Sequence, residues 1–339
     1  LAYTGDGYIV GSSVQTRGYY EAGDNGGALY EIKAKDSPDG IFSYSINNDV
    51  MLSIIVENNE IRVDQLGAKK NAVHTEPDAS DLATLDAYFD YHGKANTGQL
   101  ALNSEAFDGN AAIIEAALNK VDKVTFTPGA VYPITNLHTT YAINVPSGAT
   151  IDGNFAFLKH ISEAHYTTLL INVQSDVVIK NIGLIGTVYE YTNDAYNKAI
   201  KIVNSSNIYL DKVNIYDYVE GIKTQQSSGS LTDETLCCSG IYITDCRIER
   251  VIQGFLANAI INSTISNLYI SSKINELVGE SGYTNHCIYA GSHIRNCQFN
   301  NLVLRDAFWG QAFKRSYAST GDDESGNITI SNVTVYNCR

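Results

Sequence analysis

The stretch Leu210-Asp211-Lys212-Val213-Asn214-Ile215 has large apolar residues at its first, fourth and sixth positions and a polar pair after the first. The same spacing occurs six times, with starts 31, 33, 22, 29 and 36 residues apart. The starts are Ile179, Leu210, Ile243, Ile265, Ile294 and Ile330, and the residues two positions later are Asn181, Lys212, Asp245, Asn267, Asn296 and Asn332. Because Asn and Asp tolerate left-handed backbone angles, this column predicts a tight bend repeated in register.

A short strand, a bend and a second short strand in every repeat are typical of a β-solenoid, whose coils bury their apolar sides by stacking. A third strand per coil is predicted around Ile200, Ile222, Phe255, Ile288 and Phe313. Three strands per coil with uneven loops favour an all-β fold, the right-handed parallel β-helix. The alternative is a β-sandwich, which has hairpin turns but needs no periodic column of Asn.

Residues 1–60 have a different pattern, with alternating apolar stretches around the glycine-rich segment Gly18-Tyr19-Tyr20-Glu21-Ala22-Gly23-Asp24-Asn25-Gly26-Gly27. We interpret them as a small β-rich head, followed by a parallel β-helix over residues 61–339. The apolar face of residues 110–119 predicts an amphipathic helix. Because the chain stops at Arg339, three residues beyond an inward-facing strand, we expect the repeat region to be incomplete at its C-terminus.

Three further segments carry a family resemblance: Val63-Asp64-Gln65-Leu66-Gly67-Ala68, the helix segment Asp108 to Leu118, and Val124-Thr125-Phe126-Thr127-Pro128-Gly129. With the glycine-rich head, this series resembles the start of phage tailspikes and pectate-lyase-like right-handed β-helix proteins, which include polysaccharide depolymerases. The chain departs from that pattern over residues 69–107. The resemblance implies that the helix caps the solenoid, that the chain forms homotrimers, that it binds a bacterial surface polysaccharide, and that it belongs to a virion tail or is secreted.

Composition excludes some classes of partner. The chain has 37 acidic and 23 basic residues, and its net charge of −14 argues against nucleic acid. No run of 18 apolar residues predicts a membrane span. The six Cys show no zinc-binding spacing, and we predict no metal or cofactor. Asp322-Asp323-Glu324 is a weak candidate for calcium, because solvated loop charge is the commoner role of such a run.

The residue after each third-strand anchor is expected to point outward. This column is basic and aromatic in an acidic chain: Lys201, Lys223, Leu256, Tyr289 and Lys314. Tyrosine stacks on sugar rings and lysine binds carboxylates, so the column favours a groove for an anionic polysaccharide. The alternative is that the lysines are simply solvated. Candidate substrate-binding residues are Trp309, Lys223 and Arg250.

Two chemistries are compatible with these residues. For β-elimination from a uronate, Lys314 or His286 is the candidate base, Tyr289 the acid and Arg315 the group that neutralises the carboxylate. Hydrolysis instead needs two carboxyl groups, for which the candidates are Asp217, Glu220 and Asp306. Whether the protein cleaves its polysaccharide or only binds it stays open at this level.

Overall fold

In the computed structural model, the chain is described over residues 8–47, 49–70, 109–161, 166–186, 197–227, 233–272, 286–291, 293–307, 309–313 and 326–338. It contains one α-helix, α1 (Gly109–Leu118), and short 3₁₀ turns at Val63–Leu66 and Glu234–Leu236 within these ranges. The strands are β1 (Ser13–Gln15), β2 (Leu29–Ala34), β3 (Ser43–Ser45), β4 (Val50–Ile54), β5 (Glu60–Arg62), β6 (Lys123–Thr125), β7 (Val131–Ile134), β8 (Tyr141–Asn144), β9 (Thr150–His160), β10 (Thr167–Asn172), β11 (Ser175–Ile185), β12 (Lys198–Val203), β13 (Ser206–Tyr216), β14 (Glu220–Gln225), β15 (Cys238–Thr244), β16 (Arg247–Val251), β17 (Gln253–Ala257), β18 (Ile260–Ile261), β19 (Thr264–Ser272), β20 (His286–Ala290), β21 (Ile294–Arg305), β22 (Trp309–Phe313) and β23 (Gly326–Tyr336).

From β5 onward, the described strands form two parallel sheets. The seven-stranded sheet has the order β22-β20-β17-β14-β12-β10-β8, and the remaining strands form the twelve-stranded sheet. Each coil contributes to both sheets and then pairs with the next coil, and such parallel crossovers are right-handed in nearly all proteins. The predicted right-handed parallel β-helix is therefore confirmed, and the sandwich is excluded because these strands do not pair as antiparallel hairpins.

The apolar repeat builds the interior of the solenoid. Ile179 pairs with Leu210, Leu210 with Ile243, and Ile243 with Ile265, and all four side chains are fully buried. Burying such a side chain contributes about 1.5–3 kcal/mol, which explains why the column needs large apolar residues.

One repeat was predicted in the wrong frame. Ile265 pairs with Phe299, and Phe299 pairs with Ile330, so the fifth repeat starts at Phe299 rather than at Ile294. The true intervals are therefore 31, 33, 22, 34 and 31 residues. The 12-residue strand β21 contains the apolar spacing twice, and Cys297 is also fully buried, so burial alone could not select the frame.

A ladder of amides fixes the bend in each coil. The side chain of Asn267 donates to Asp245 at 2.7 Å, Asn301 donates to Asn267 at 3.0 Å, and Asn332 donates to Asn301 at 3.0 Å. These bend residues have φ between 51° and 53°, in the left-handed region. The predicted column is thus correct except that Asn301 occupies the place assigned to Asn296.

Asn296 belongs to a second ladder at another corner of the same coils. Its side chain donates to Asn262 at 3.0 Å, and Asn327 donates to Asn296 at 3.0 Å. These three residues also have positive φ, at 51°, 52° and 55°. Two parallel Asn ladders therefore run along the solenoid. Because both contain Asn, an Asn in the sequence does not show which of the two bends it occupies.

The head is an antiparallel sheet with strand order β1-β2-β4-β3. Its glycine-rich segment folds around Asp24, whose carboxylate accepts the backbone N–H groups of Tyr19, Tyr20, Glu21 and Gly26 at 2.7–3.1 Å. Partial burial raises the pKa of Asp24, but these four hydrogen bonds outweigh it and hold the pKa below its usual value. The acidic residue of this motif is therefore a structural turn residue.

The helix α1 lies within the predicted segment and contacts the strands β6, β7 and β8 of the first coils. Its buried residue Asn110 accepts the backbone N–H of Lys69 at 2.8 Å and donates to the carbonyl groups of Lys69 and Pro133, both at 2.8 Å. Glu115 accepts the backbone N–H of Asn144 at 2.6 Å and contacts His138 Nε2 at 2.9 Å. None of the described helices has the length and apolar character needed to cross a membrane.

The last described coil has an uncovered side. Ile330 and Val335 occupy inward positions, yet 43% and 51% of their surface is exposed, whereas Phe299 and Leu304 below them are fully buried. A coil in this structure is therefore buried mainly by the coil stacked on it.

We expect Asn267→Ala to lower the free energy of unfolding by about 2 kcal/mol, because it removes two ladder hydrogen bonds and places alanine at a left-handed position. Asn267→Gly loses the same hydrogen bonds but tolerates the backbone angle, so its loss should be smaller. Urea titration of both variants measures the difference. Equal losses would mean that backbone conformation does not decide the residue at this bend.

Candidate functional site

The outer face of the seven-stranded sheet presents the predicted column. Lys201 pairs with Lys223, Lys223 with Leu256, and Leu256 with Tyr289, so these side chains succeed one another at the coil spacing of about 4.8 Å. The prediction is correct as far as Tyr289.

The register differs in the last coil of this sheet. Tyr289 pairs with Ala312 and Ala290 with Phe313, so the third-strand anchor is Gln311 rather than Phe313. Phe313 lies two residues after Gln311 in the same strand and is apolar, so hydrophobicity alone favours Phe313 as the anchor. Lys314, predicted to follow Tyr289 in the column, lies outside the described residues, as do Arg315 and the candidate calcium ligands Asp322, Asp323 and Glu324.

A cluster of three lysines surrounds one buried carboxylate on β12 and β14. Glu220 is only 3% exposed, and its two oxygen atoms lie 3.4 Å from Lys198 Nζ and 3.3 Å from Lys223 Nζ. The lysine side chains are 14% and 21% exposed, respectively. Lys201 is the third lysine and lies beside Lys223 in the next coil. We call Lys198, Lys201, Lys223 and Glu220 the lysine cluster; its net charge is positive.

The lysine cluster is not a set of solvated surface charges. Burial lowers the pKa of Lys198 and of Lys201, and the neighbouring Lys223 lowers both further, while Glu220 raises both. For Lys201, the opposing influence of Glu220 is smaller than that of Lys223. The Lys223–Glu220 ion pair and the intermediate burial of Lys201 argue against the interpretation that both are plain solvated lysines.

Two other predicted residues meet farther along the same sheet. The rings of His286 and Tyr289 lie edge to face with centroids 5.0 Å apart, and His286 is buried, with 3% of its surface exposed. His286 pairs through its backbone with Trp309, the first residue of β22. Tyr289 lies three strands from Lys201 in the sheet order, about 14 Å away at the usual strand spacing. The two groups of candidates therefore occupy different parts of one face.

Asp217 and Arg250 form a pair at the corner that precedes this sheet. Arg250 donates through Nε and Nη2 to the two carboxylate oxygens of Asp217 at 2.8 and 2.6 Å, and its guanidinium lies 4.9 Å from the ring centre of Tyr216. Burial lowers the pKa of Arg250, but the hydrogen bonds that it donates to Asp217 outweigh burial and raise the pKa above its ordinary value. The candidate acid Asp217 and the candidate substrate-binding residue Arg250 thus form an ion pair with each other.

The third candidate acid is far from the other two. Asp306 accepts a hydrogen bond from Asn337 at 2.9 Å and one from Ser271 at 3.2 Å. The strand pairings place it three coils beyond Asp217, or about 14 Å. Paired glycosidase carboxyl groups lie roughly 5–9.5 Å apart, so these two aspartates do not form such a pair.

Two cations, one buried and one largely buried, were missed from the sequence. Lys198 lies two residues before the inward Ile200, so strand parity alone assigned it to the interior. Lys159 at the end of β9 is 8% exposed, and burial lowers its pKa while Asp217 raises it. Lys198 pairs with Thr167 of β10 and with Glu220 of β14, so its column is polar, which the apolar third-strand anchors did not indicate. Among the described residues, no cluster of three His, Cys, Asp or Glu side chains could hold a metal ion.

The chain was compared with protein families, curated sequences and solved structures. No protein-family model and no curated sequence matches the chain. Among solved structures, a double mutant of the tailspike protein of E. coli bacteriophage HK620, bound to a pentasaccharide, has a TM-score of 0.50 at 11% identity, covering 67% of this chain and 41% of that one. The A-module of the Azotobacter vinelandii mannuronan C-5 epimerase AlgE6 has a TM-score of 0.46 at 13% identity, covering 68% and 64%.

A third solved structure is similar along nearly the whole chain. The tailspike protein gp49 of Acinetobacter baumannii bacteriophage Fri1, a capsular polysaccharide depolymerase, has a TM-score of 0.45 at 13% identity and covers 98% of this chain and 58% of its own. The present chain thus spans between two fifths and two thirds of these three proteins. At 11% identity, the likeness to the HK620 tailspike protein supports the parallel β-helix fold and nothing beyond it.

We expect Glu220→Gln to lower the free energy of unfolding by about 3 kcal/mol, because it leaves Lys198 and Lys223 buried without their shared counter-charge. Glu31→Gln in the head is the matched control: Glu31 pairs with Lys33 at 3.3 Å, but both side chains are more than 40% exposed. Such an exposed pair contributes at most about 1 kcal/mol. Guanidinium titration separates the two cases, and equal losses would contradict a compensating role for Glu220.

Proposed function

We propose that the protein is a tailspike-type depolymerase that binds and cleaves an acidic bacterial surface polysaccharide. The observation that carries this proposal is the lysine cluster on the outer face of the seven-stranded sheet. Three lysines gather there around one carboxylate, although the chain as a whole carries a net charge of −14. A local cationic site of this kind selects anionic groups, because ammonium groups bind carboxylates through charge-assisted hydrogen bonds.

The shape of the face supports a polymer as the ligand. Its outward residues repeat at the coil spacing, so a chain lying along the solenoid axis meets a new side chain about every 4.8 Å. Lys201, Lys223 and Tyr289 contribute to this row, and Leu256 lies between Lys223 and Tyr289. Ammonium groups and an aromatic ring in one row fit a glycan that carries both charges and apolar ring faces.

β-Elimination fits the described residues better than hydrolysis does. Hydrolysis needs a carboxyl group that delivers a proton. Asp217 is held in a bidentate pair with Arg250, and Glu220 lies between two lysines, so both carboxylates are already engaged by basic side chains of the protein. Elimination needs instead a cation beside the substrate carboxylate and a base, and the lysine cluster offers such groups.

The proposal extends to assembly and location. The resemblance to tailspikes favours a parallel homotrimer, carried on a virion tail or secreted into the extracellular space. A bacterial surface polysaccharide is encountered there.

The test of function is incubation with a panel of acidic and neutral bacterial surface polysaccharides, followed by size-exclusion chromatography. We expect an acidic member to be shortened. Lys223→Met should weaken its binding about tenfold, since a charged hydrogen bond contributes about 1.5 kcal/mol.

The control is Lys180→Met, which removes an outward lysine from the other sheet, where Lys180 pairs with Asp152 at 3.2 Å. It should bind and cleave as the wild type does. Binding without shortening would make the protein a non-catalytic receptor-binding component. Shortening of neutral glycans alone would contradict the role of the lysine cluster.

For assembly, we expect sedimentation at micromolar concentration to give the mass of a trimer. A single species of 37.0 kDa, the mass of one chain, would contradict the homotrimer.

A further inference from the structure

Lys201 differs from its two neighbours in the lysine cluster. Lys198 and Lys223 each contact Glu220, at 3.4 and 3.3 Å. No ion pair or hydrogen bond engages the Lys201 ammonium within the part of the chain described. Its side chain is half-buried on β12, between Leu170 of β10 and Lys223 of β14. Lys201 is thus the lysine of this cluster that is free to act on a ligand.

The surroundings of Lys201 lower the pKa of its ammonium group. The charged groups that face it are Lys223 and Glu220 from β14 and Lys198 from its own strand, while β10 contributes the apolar Leu170. Burial lowers the pKa of Lys201, Lys223 lowers it further, and Glu220 raises it by less. An ordinary lysine has a pKa of about 10.4, so lowering it increases the fraction of neutral amine at physiological pH.

We propose that Lys201 is the base of a β-elimination that cleaves a uronate-containing polysaccharide, with Lys223 as the cation that neutralises the uronate carboxylate. This inference rests on the proposed function and adds to it uronate as the acidic sugar and the residue that moves the proton. It names a base other than the sequence candidates Lys314 and His286: His286 lies three strands from Lys201 in the sheet order, and Lys314 lies outside the described residues.

The step balances within the site. The neutral amine of Lys201 removes the proton on the carbon next to the carboxylate. The electron pair of that C–H bond forms a double bond to the adjacent carbon, and the bond from that carbon to the glycosidic oxygen breaks. The ammonium of Lys201 then returns the proton to the departing oxygen. The products are an unsaturated uronate end and a free hydroxyl, and no water, metal or oxidant is consumed.

Glu220 and Lys198 act as positioning residues in this arrangement. Glu220 fixes the Lys223 ammonium at 3.3 Å from one oxygen, while Lys198 occupies the other oxygen at 3.4 Å. Lys223 is therefore held one coil from Lys201, about 4.8 Å away along the solenoid. A uronate whose carboxylate contacts Lys223 would direct the neighbouring C–H bond toward Lys201. Negative charge that develops on the carboxylate during proton removal would be stabilised by the same ammonium.

The test compares Lys201→Arg and Lys201→Met with wild type on alginate, polygalacturonate, hyaluronan and a uronate-rich capsular polysaccharide. Unsaturated ends are detected by ultraviolet absorbance and all new ends by a reducing-sugar assay. Arginine keeps the positive charge but does not deprotonate in this range, so Lys201→Arg should retain binding and lose roughly 10²- to 10⁴-fold in kcat. Lys180→Met is the control for loss of an outward lysine, and thermal melting checks that all variants fold.

The pH dependence provides a second readout. For wild type, kcat/KM should rise tenfold per pH unit and level off below the ordinary lysine pKa of about 10.4, because the base must be neutral. Lys201→Arg should lack this limb.

Three results would overturn the inference, and they separate its failure from that of the proposed function. Cleavage that yields only saturated reducing ends would leave a depolymerase but exclude elimination. Unsaturated products from Lys201→Arg at the wild-type rate would exclude Lys201 as the base. If none of the four polysaccharides is bound or cleaved, both proposals fail.

Discussion

Hydrogen bonding between successive coils is the interaction on which the rest of this molecule depends. Each strand pairs in parallel with its counterpart one coil away, so any residue lies directly beside the residue at the same position of the next coil. An apolar position becomes a continuous apolar column, and a bend residue becomes a ladder. The amide of Asn267 can donate to Asp245 and accept from Asn301 only because this alignment is maintained.

The same alignment explains how the candidate site acquires its charge. In an isolated strand, Lys201 would be an ordinary surface lysine. Pairing of β12 with β14 brings Lys223 beside it and places Glu220 against Lys198. Like charges that lie one coil apart destabilise one another, and a single buried carboxylate compensates two of the three. The electrostatic character of the site is therefore a property of two adjacent coils, and neither coil has it alone.

Much of the fold could be predicted because the stacking of coils requires apolar residues at periodic positions in the sequence. The anchors Ile200, Ile222, Phe255 and Ile288 were found from hydrophobicity alone, and the structure aligns all four. The predicted register was wrong where the apolar spacing fits more than one frame or where an anchor position is polar. Apolar spacing occurs twice in β21, and the anchor of β22 is the polar Gln311, so neither frame could be chosen without the hydrogen-bond register.

The site was less predictable for a physical reason. Each residue of the site is recognised singly from the sequence, whereas its charge environment depends on residues of the neighbouring coils. Asp217 and Arg250 are 33 residues apart in sequence and yet form a bidentate pair. Lys198 was missed because parity along its own strand assigned it to the interior, although its column in the neighbouring coils is polar. Sequence alone identified the face of the solenoid correctly as far as Tyr289, but not which of its charges compensate each other.

The unequal intervals between repeats have a consequence for how such a chain can change over time. The shortest interval, the 22 residues between Ile243 and Ile265, is enough to complete a coil, and longer intervals add residues between the strands. The ladder of Asp245, Asn267, Asn301 and Asn332 remains in register across intervals of 22, 34 and 31 residues. Segments between the sheets can therefore gain or lose residues without altering the core, and recognition can diversify while the scaffold is inherited unchanged.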